Sequence, residues 1–289
     1  MVGSSDESIA LTRQRSEFLF MEHPHQPNKM ENKKDLQKGK PEHELAINKV
    51  GITNLELPIK VNFNSKTVHA QAKISALVDL SSEKRGTHMS RLITILTEES
   101  EKTLTFKQID DILTRIKKEL EAEHSYLDFE FTIFHKKKSP ITKKEGYVNY
   151  KCSINAEKNL KTTISLGAEV LVTSLCPISK EISDYSAHNQ RGRLVVKALC
   201  KNDKVWFDQI ISDVEKCGSC ELYSVLKRED EKYVTEKAYE NPKIVEDIVR
   251  QMAVTLMKNK NIVKLNISCE NEESIHLHNA FSEITMKNG

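Results

Sequence analysis

A thiol and an imidazole stand twelve positions apart in TSLCPISKEISDYSAHNQRGR, Thr173 to Arg193. Cys176 ends an apolar strand pattern and His188 falls in a polar turn, with Lys180, Arg191 and Arg193 around them. Thiolate plus imidazole is a borderline-soft ligand pair that suits zinc and related divalent metals. The flanking positive charge suits a phosphorylated substrate. Local zinc signatures pair their ligands more closely, so the competing reading is a strand-end cysteine and a loop histidine that never meet.

Five further groups of residues invite chemistry. ESIHLH supplies Glu273, His276 and His278. On a strand the two histidines share a face, and an imidazole titrates near neutral pH, as a proton carrier must. The plain alternative is an edge-strand pair facing water. Glu246 sits in the first turn of a helical pattern, where an i,i+4 ion pair with Arg250 is worth a few tenths of a kcal/mol. Asp230 and Glu231, in LKREDEK, read as an ordinary charged surface loop. Cys217 and Cys220 form a lone CxxC, expected as two free thiols near a helix end. His23 and His25 make an HxH pair expected to be solvated tail residues.

These residues need elements to hold them. The 289 residues, 38% hydrophobic and 30% charged with a formal net charge of +2, suit one large domain or two ordinary ones. Near-neutral charge gives no argument for nucleic acid or membrane as partner, and no apolar run approaches the ~18 residues of a membrane span. Six scattered cysteines without a secretion signal read as reduced thiols of a cytoplasmic protein. Residues 1–43 are polar and aperiodic, which predicts a disordered leader.

Beyond it, Leu55 to Phe63 and Val68 to Ile74 alternate as a hairpin. Met89 to Leu96 has helical spacing. Thr105 with Gln108 is a capping box opening a helix over Phe106 to Leu120, and Thr87 is a candidate cap for the helix carrying Met89. Leu127 to Ile133 and Val148 to Ile154 alternate around a basic loop, HKKKSPITKK, expected to be a solvated hairpin tip. The order then repeats. Strands over Ile164–Val172 and Leu194–Ala198 precede a helix over Phe207–Val214. Asn241 caps and Pro242 opens another helix with Val245 to Leu256 on its buried face. Strands follow over Val263–Cys269 and about Leu277–Met286. Two ββααββ units with antiparallel strands and helices on one side make an α+β fold, divided at 44–157 and 158–289.

CPISKEISDYSAHNQRG resembles the signature of the type IB GTP cyclohydrolases, the prokaryotic family that opens the guanine ring of GTP to begin folate-type pterin synthesis. KRGTHMSRL (Lys84–Leu92), LKREDEKYVTEKAYENPKIVEDIVR (Leu226–Arg250) and NEESIHLHNAF (Asn271–Phe281) resemble the same family in the same order, from about Glu44 onward. The resemblance implies two tandem tunnelling-fold modules in a homotetramer with sites between subunits, and GTP as substrate. It implies a divalent metal (zinc, manganese or iron) on Cys176, His188 and Glu231. It makes Glu246 the guanine anchor, His276 the proton carrier and Glu273 a further substrate contact. Lys180, Arg191, Lys227, Arg228 and Arg91 are its candidates for the triphosphate, and His88 either lines a neighbouring site or is structural. One departure matters: where the family commonly reads CPCSK, this chain has Ile178, which leaves Cys176 as the only sulfur ligand there. Other readings are an archaeal-type cyclohydrolase giving a cyclic phosphate, a non-catalytic purine- or pterin-binding relative, and a nitrile reductase using Cys176 as nucleophile.

Overall fold

The computed structural model describes residue 37 and residues 39–288. The expected leader lies for its greater part outside them, as do His23 and His25. In chain order the elements begin with β1 (Ile47–Phe63), β2 (Lys66–Leu80), α1 (Met89–Ser100), β3 (Thr103–Leu104), α2 (Phe106–Leu120), β4 (Ser125–Lys138) and β5 (Glu145–Lys158). They continue with β6 (Thr162–Leu175), α3 (Pro177–Ile182), β7 (Asn189–Cys200), α4 (Phe207–Glu215), β8 (Cys220–Glu221), α5 (Arg228–Glu240), α6 (Val245–Met257), β9 (Ile262–Glu272) and β10 (Ala280–Lys287). The strands form one ten-stranded sheet, ordered β10-β9-β7-β6-β5-β4-β2-β1-β3, with β8 beside β6. Every long pairing is antiparallel and only the short β1–β3 contact is parallel, so the fold is α+β.

The apolar periodicities are what bind helices to sheet. α2 buries Ile109, Ile112, Leu113, Ile116 and Leu120, and α6 buries Ile248, Val249, Met252 and Leu256. They meet alternate residues of the strands, such as Leu127 and Phe129 on β4 and Val170 and Val172 on β6. Phe131 and Phe207 join the two halves edge to face, ring centroids 5.5 Å apart. Each large apolar side chain so buried contributes about 1.5–3 kcal/mol. The other face is polar. Glu56, Lys73 and Glu130 stand side by side across β1, β2 and β4, and Glu169 of β6 pairs with both Lys151 and Arg193. Glu56, Lys73, Glu130, Lys151 and Glu169 line a broad groove of about 760 Å³.

Several local expectations need correction. Thr105 caps α2 by accepting the Gln108 N–H at 3.1 Å, but the Gln108 amide turns to Glu99 instead of completing the box. α1 is capped at His88 and not at Thr87, with no side-chain cap bond. LKREDEK opens helix α5 and is not a loop. Only Asp230 and Ala238 of its 13 residues are buried, so it carries no apolar stripe to betray it; acidic residues in its first turn suit the helix dipole instead. Asn241 therefore closes α5 and does not open α6. Pro242 to Ile244 stay extended because Lys243 donates its N–H to Leu175 O (2.9 Å) and accepts from the Ser174 hydroxyl (3.2 Å). The 139–144 hairpin tip is pinned, with Ser139 1% exposed.

Candidate functional site

β6 and β7 bring the thiol and the imidazole together. Leu175 pairs with Asn189, and the next residues out, Cys176 and His188, are joined by a Cys176 N–H donated to His188 O at 3.2 Å. Side chains opposed in this way have Cβ atoms about 5 Å apart. Cys176 also caps α3, its Sγ accepting the Ser179 N–H at 3.4 Å, while Pro177 supplies the first helical residue without an orphaned donor. Ile178, standing where the resemblance expects a second thiol, is 60% exposed.

The loop between β9 and β10 rests against His188 and Gln190. Ser274 Oγ lies 3.3 Å from His188 Nδ1, and Gln190 donates to Glu273 at 3.4 Å. When Nδ1–H is the donor in this contact, Nε2 carries the lone pair. His276 and His278 do not lie on a strand: residues 274–278 form a bend, and β10 starts only at Ala280. Their rings nevertheless stack, centroids 5.0 Å apart at 17°.

A buried polar knot fixes these parts against one another. Asn271 of β9, 2% exposed, donates to Ser174 Oγ at 3.0 Å, and Ser174 in turn donates to Lys243. Lys243 thus ties the lead-in of α6 to the end of β6, placing Glu246 at the same end of the sheet as Cys176. Glu246 is exposed and makes no hydrogen bond or ion pair among the described residues; Arg250, its expected partner, pairs with Asp247 at 3.6 Å. Beneath it, burial pushes the Cys269 thiol up to about 12, with Glu246 and Glu270 adding to the rise.

α5 faces the motif turn across a cavity of about 460 Å³ lined by Ser186, Ala187, Arg191, Val234 and Thr235, among others. Glu231 is exposed, one helical turn before Val234 and Thr235 and on their side of the helix. Cys176, His188 and Glu231 do not converge as a trio with ligand atoms within 4.8 Å of one another; among the described residues that arrangement occurs only for Asp79, Glu123 and His124. That group closes the turn into β4, Asp79 accepting the N–H groups of Glu123 (3.0 Å) and His124 (2.7 Å).

The basic residues divide. Lys180 donates to Tyr239 O at 2.6 Å with its ammonium 4.0 Å from the centre of the Tyr239 ring, which ties α3 to the end of α5. Arg193 is turned to the polar face and pairs with Glu169 at 2.7 Å. Lys227 caps α5. Arg191 and Arg228 have no side-chain partner among the described residues, and Arg191 lines the cavity. Arg91 donates to Glu119 O at 2.7 Å, and His88 stands beside it at the start of α1. Both lie at the opposite end of the sheet, because β2 ends level with the start of β4, the end of β5 and the start of β6. The 14 residues of β6 then separate that level from Cys176 by roughly 45 Å of strand.

Sequence reasoning missed Asp230, Ser274 and Gln190. For Asp230 a signal existed: an acidic residue three positions after a helix cap reaches back to the cap N–H, as Asp230 does to Lys227 at 3.0 Å. The other two are polar residues whose partners are distant in sequence and leave no local trace. Cys217 and Cys220 are free, buried thiols following α4, as expected; burial pushes Cys220 up to about 11.

The family model for type I GTP cyclohydrolase FolE2 matches residues 34–282. A GTP cyclohydrolase FolE2 of Desulfosudis oleivorans is 44% identical over 262 residues, 87% of this chain and 97% of the relative. That of Geotalea uraniireducens is 41% identical over 251 residues, 86% and 92% of the two chains. Among solved structures, a hyper-thermostable AgUricase mutant aligns over 84% of this chain and 93% of its own at 10% identity and a TM-score of 0.49, too distant a likeness to bear on fold or chemistry. The chain, matched by the family model over residues 34–282 and by these relatives over more than four fifths of its length, belongs to the type I GTP cyclohydrolase FolE2 family.

Proposed function

We propose that this protein is a GTP cyclohydrolase, converting GTP and water to 7,8-dihydroneopterin triphosphate and formate. The observation that carries the reading is the pairing of Cys176 and His188 across β6 and β7, with the unpartnered carboxylate of Glu246 held at the same strand end. The donor set suits a divalent metal: one sulfur, and one imidazole whose Nδ1, donating to Ser274, would leave Nε2 to ligate. Cys176 and His188 would hold the ion, and Glu231, from α5, would complete the set. A bound ion of zinc, manganese or iron would lower the pKa of water toward ~7 and so supply a nucleophile at neutral pH.

The chain's own residues do the rest. Glu246 accepts both the ring N–H and the exocyclic amine of guanine, a charge-assisted pair that adenine cannot offer. His276, on the loop that rests against His188, moves protons as the imidazole ring of the base opens and its C8 departs as formate. Glu273, bonded to Gln190, holds the substrate from the same loop. The ribose carbons then close the pyrazine ring. Arg191 is the cation most available to the triphosphate; Lys180 is the least, since its ammonium is spent on Tyr239.

We further infer two tandem ββααββ tunnelling-fold modules, 44–157 and 158–289, after the leader of residues 1–43, assembled as a homotetramer in the cytoplasm. The seam falls at β5–β6, and β1-β2-α1-α2-β4-β5 has its counterpart in β6-β7-α4-α6-β9-β10. β10 has no outer neighbour among the described residues, an edge suited to another copy. His88 and Arg91, at the far end of their own chain, would reach a site belonging to a neighbouring copy. The test is Cys176→Ala. It should abolish formate release from GTP and metal retention while leaving the circular dichroism unchanged; full activity in that variant would overturn the reading.

A further inference from the structure

We propose that Asp230 is the positioning residue for Glu231, fixing it by tying the first turn of α5 to the tip of the β4–β5 hairpin. The inference rests on the reading of Glu231 as the carboxylate ligand.

Asp230 is fully buried, unlike the exposed Glu231 beside it. One of its oxygens accepts the backbone N–H groups of Ile141 (2.8 Å) and Thr142 (2.9 Å). The other accepts the Thr142 hydroxyl and the Lys227 N–H. Three of these four donors belong to a segment about ninety residues away in sequence. That segment is itself rigid. β4 and β5 pair down to Lys138 and Glu145, Ser139 N–H donates to Lys144 O at 2.9 Å, and the Ser139 hydroxyl receives the Lys144 N–H at 3.0 Å.

α5 has little apolar burial to hold it, and its downstream half is tied to β8 by the Lys237–Glu221 ion pair at 2.5 Å. Its only other buried residue is Ala238, so hydrophobic burial does not set the helix position. At its far end Lys180 holds the carbonyl of Tyr239, and Asn241 donates to Gly218 O and Ser219 O, both at 3.1 Å. The helix is a strut clamped at both ends by polar contacts. Glu231 is one residue, about 1.5 Å of rise, from the upstream clamp. Loss of that clamp frees the turn that carries the ligand while the downstream clamp keeps the helix attached. Outer partners that orient a ligand typically change metal affinity 10–100-fold.

The experiment measures Zn²⁺ affinity of the full chain by competition with a chromophoric chelator, for the parent, D230A, E231A, the double variant D230A/E231A, and T142V. T142V removes only the hydroxyl bond on the hairpin side and serves if D230A fails to fold. The expected result is at least a tenfold loss for D230A, a smaller loss in the same direction for T142V, and equal affinity for E231A and the double variant, because a carboxylate that is absent needs no positioning. Parental affinity in D230A, with E231A weakened, overturns the inference and leaves the ligand assignment standing. A further loss in the double variant equal to that of D230A alone marks general damage and also overturns it. Parental affinity in E231A removes the ligand assignment, and the inference with it.

Discussion

Two carboxylates one residue apart have opposite fates. Asp230 is withdrawn from solvent, and burial pushes its carboxyl up. The Thr142 hydroxyl and the N–H groups of Thr142, Lys227 and Ile141 outweigh that and hold it well below the usual carboxylate range. A group with a lowered folded-state pKa stabilises the protein above its unfolded value, near 3.9, and loses that contribution as pH falls toward the folded one. Urea unfolding of the parent and D230N should therefore show a constant gap in stability from pH 7 to about 5, closing below about pH 4. A gap that stays level down to pH 3 would show that the ionised form is not what the hydrogen bonds select. Cys176, His188 and Glu246 stood out in the sequence through the motifs that resemble the family, since spacing alone left the thiol and imidazole as residues that never meet and Glu246 as a helix ion-pair partner. The sequence could not separate Asp230 from Glu231, since burial there is decided by a hairpin tip far upstream.

The elements divide by how they are held. Helices with an apolar stripe, α1, α2, α4 and α6, were readable, because burying that stripe is what fixes them. α5 and α3 were not. α5 is held by polar clamps, and α3 is six residues long, too short for a periodic pattern to show. The boundary at Asn241–Pro242 misled for a related reason. Asn followed by Pro favours a helix start, but here the Asn241 side chain and the Lys243 backbone are committed to residues 218, 219 and 175. Thr105 is the cleanest element-level case. Its hydroxyl satisfies one otherwise orphaned donor of α2, so Thr105→Ala should lower unfolding free energy by about 1 kcal/mol, measured by chemical denaturation. No change would mean that water or Glu99 replaces the cap.

For the molecule as a whole, the strand registers separate two of the motifs that resemble the family. KRGTHMSRL lies at the end of the sheet where β6 begins, and Cys176 lies beyond the end where β6 finishes. If a neighbouring copy supplies His88 and Arg91, two inactive variants, H88A and C176A, should recover partial activity when unfolded together and refolded as a mixture. Each mixed assembly would then contain some sites with both residues intact. Persistent inactivity of a mixture shown to exchange chains would place the whole site within one copy.

The polar side of the sheet carries one last implication. Its lysines, arginine and glutamates alternate in sign from strand to strand, so the surface is densely ionic yet close to neutral in sum. Such a mosaic keeps its hydration and sets carboxylates beside the cations that a polyanion would seek, while Phe134 and Val195 stay exposed in the same groove. The sheet is thus dry on its helix-covered face and wet on the other, where a docking molecule would first displace water held by paired charges.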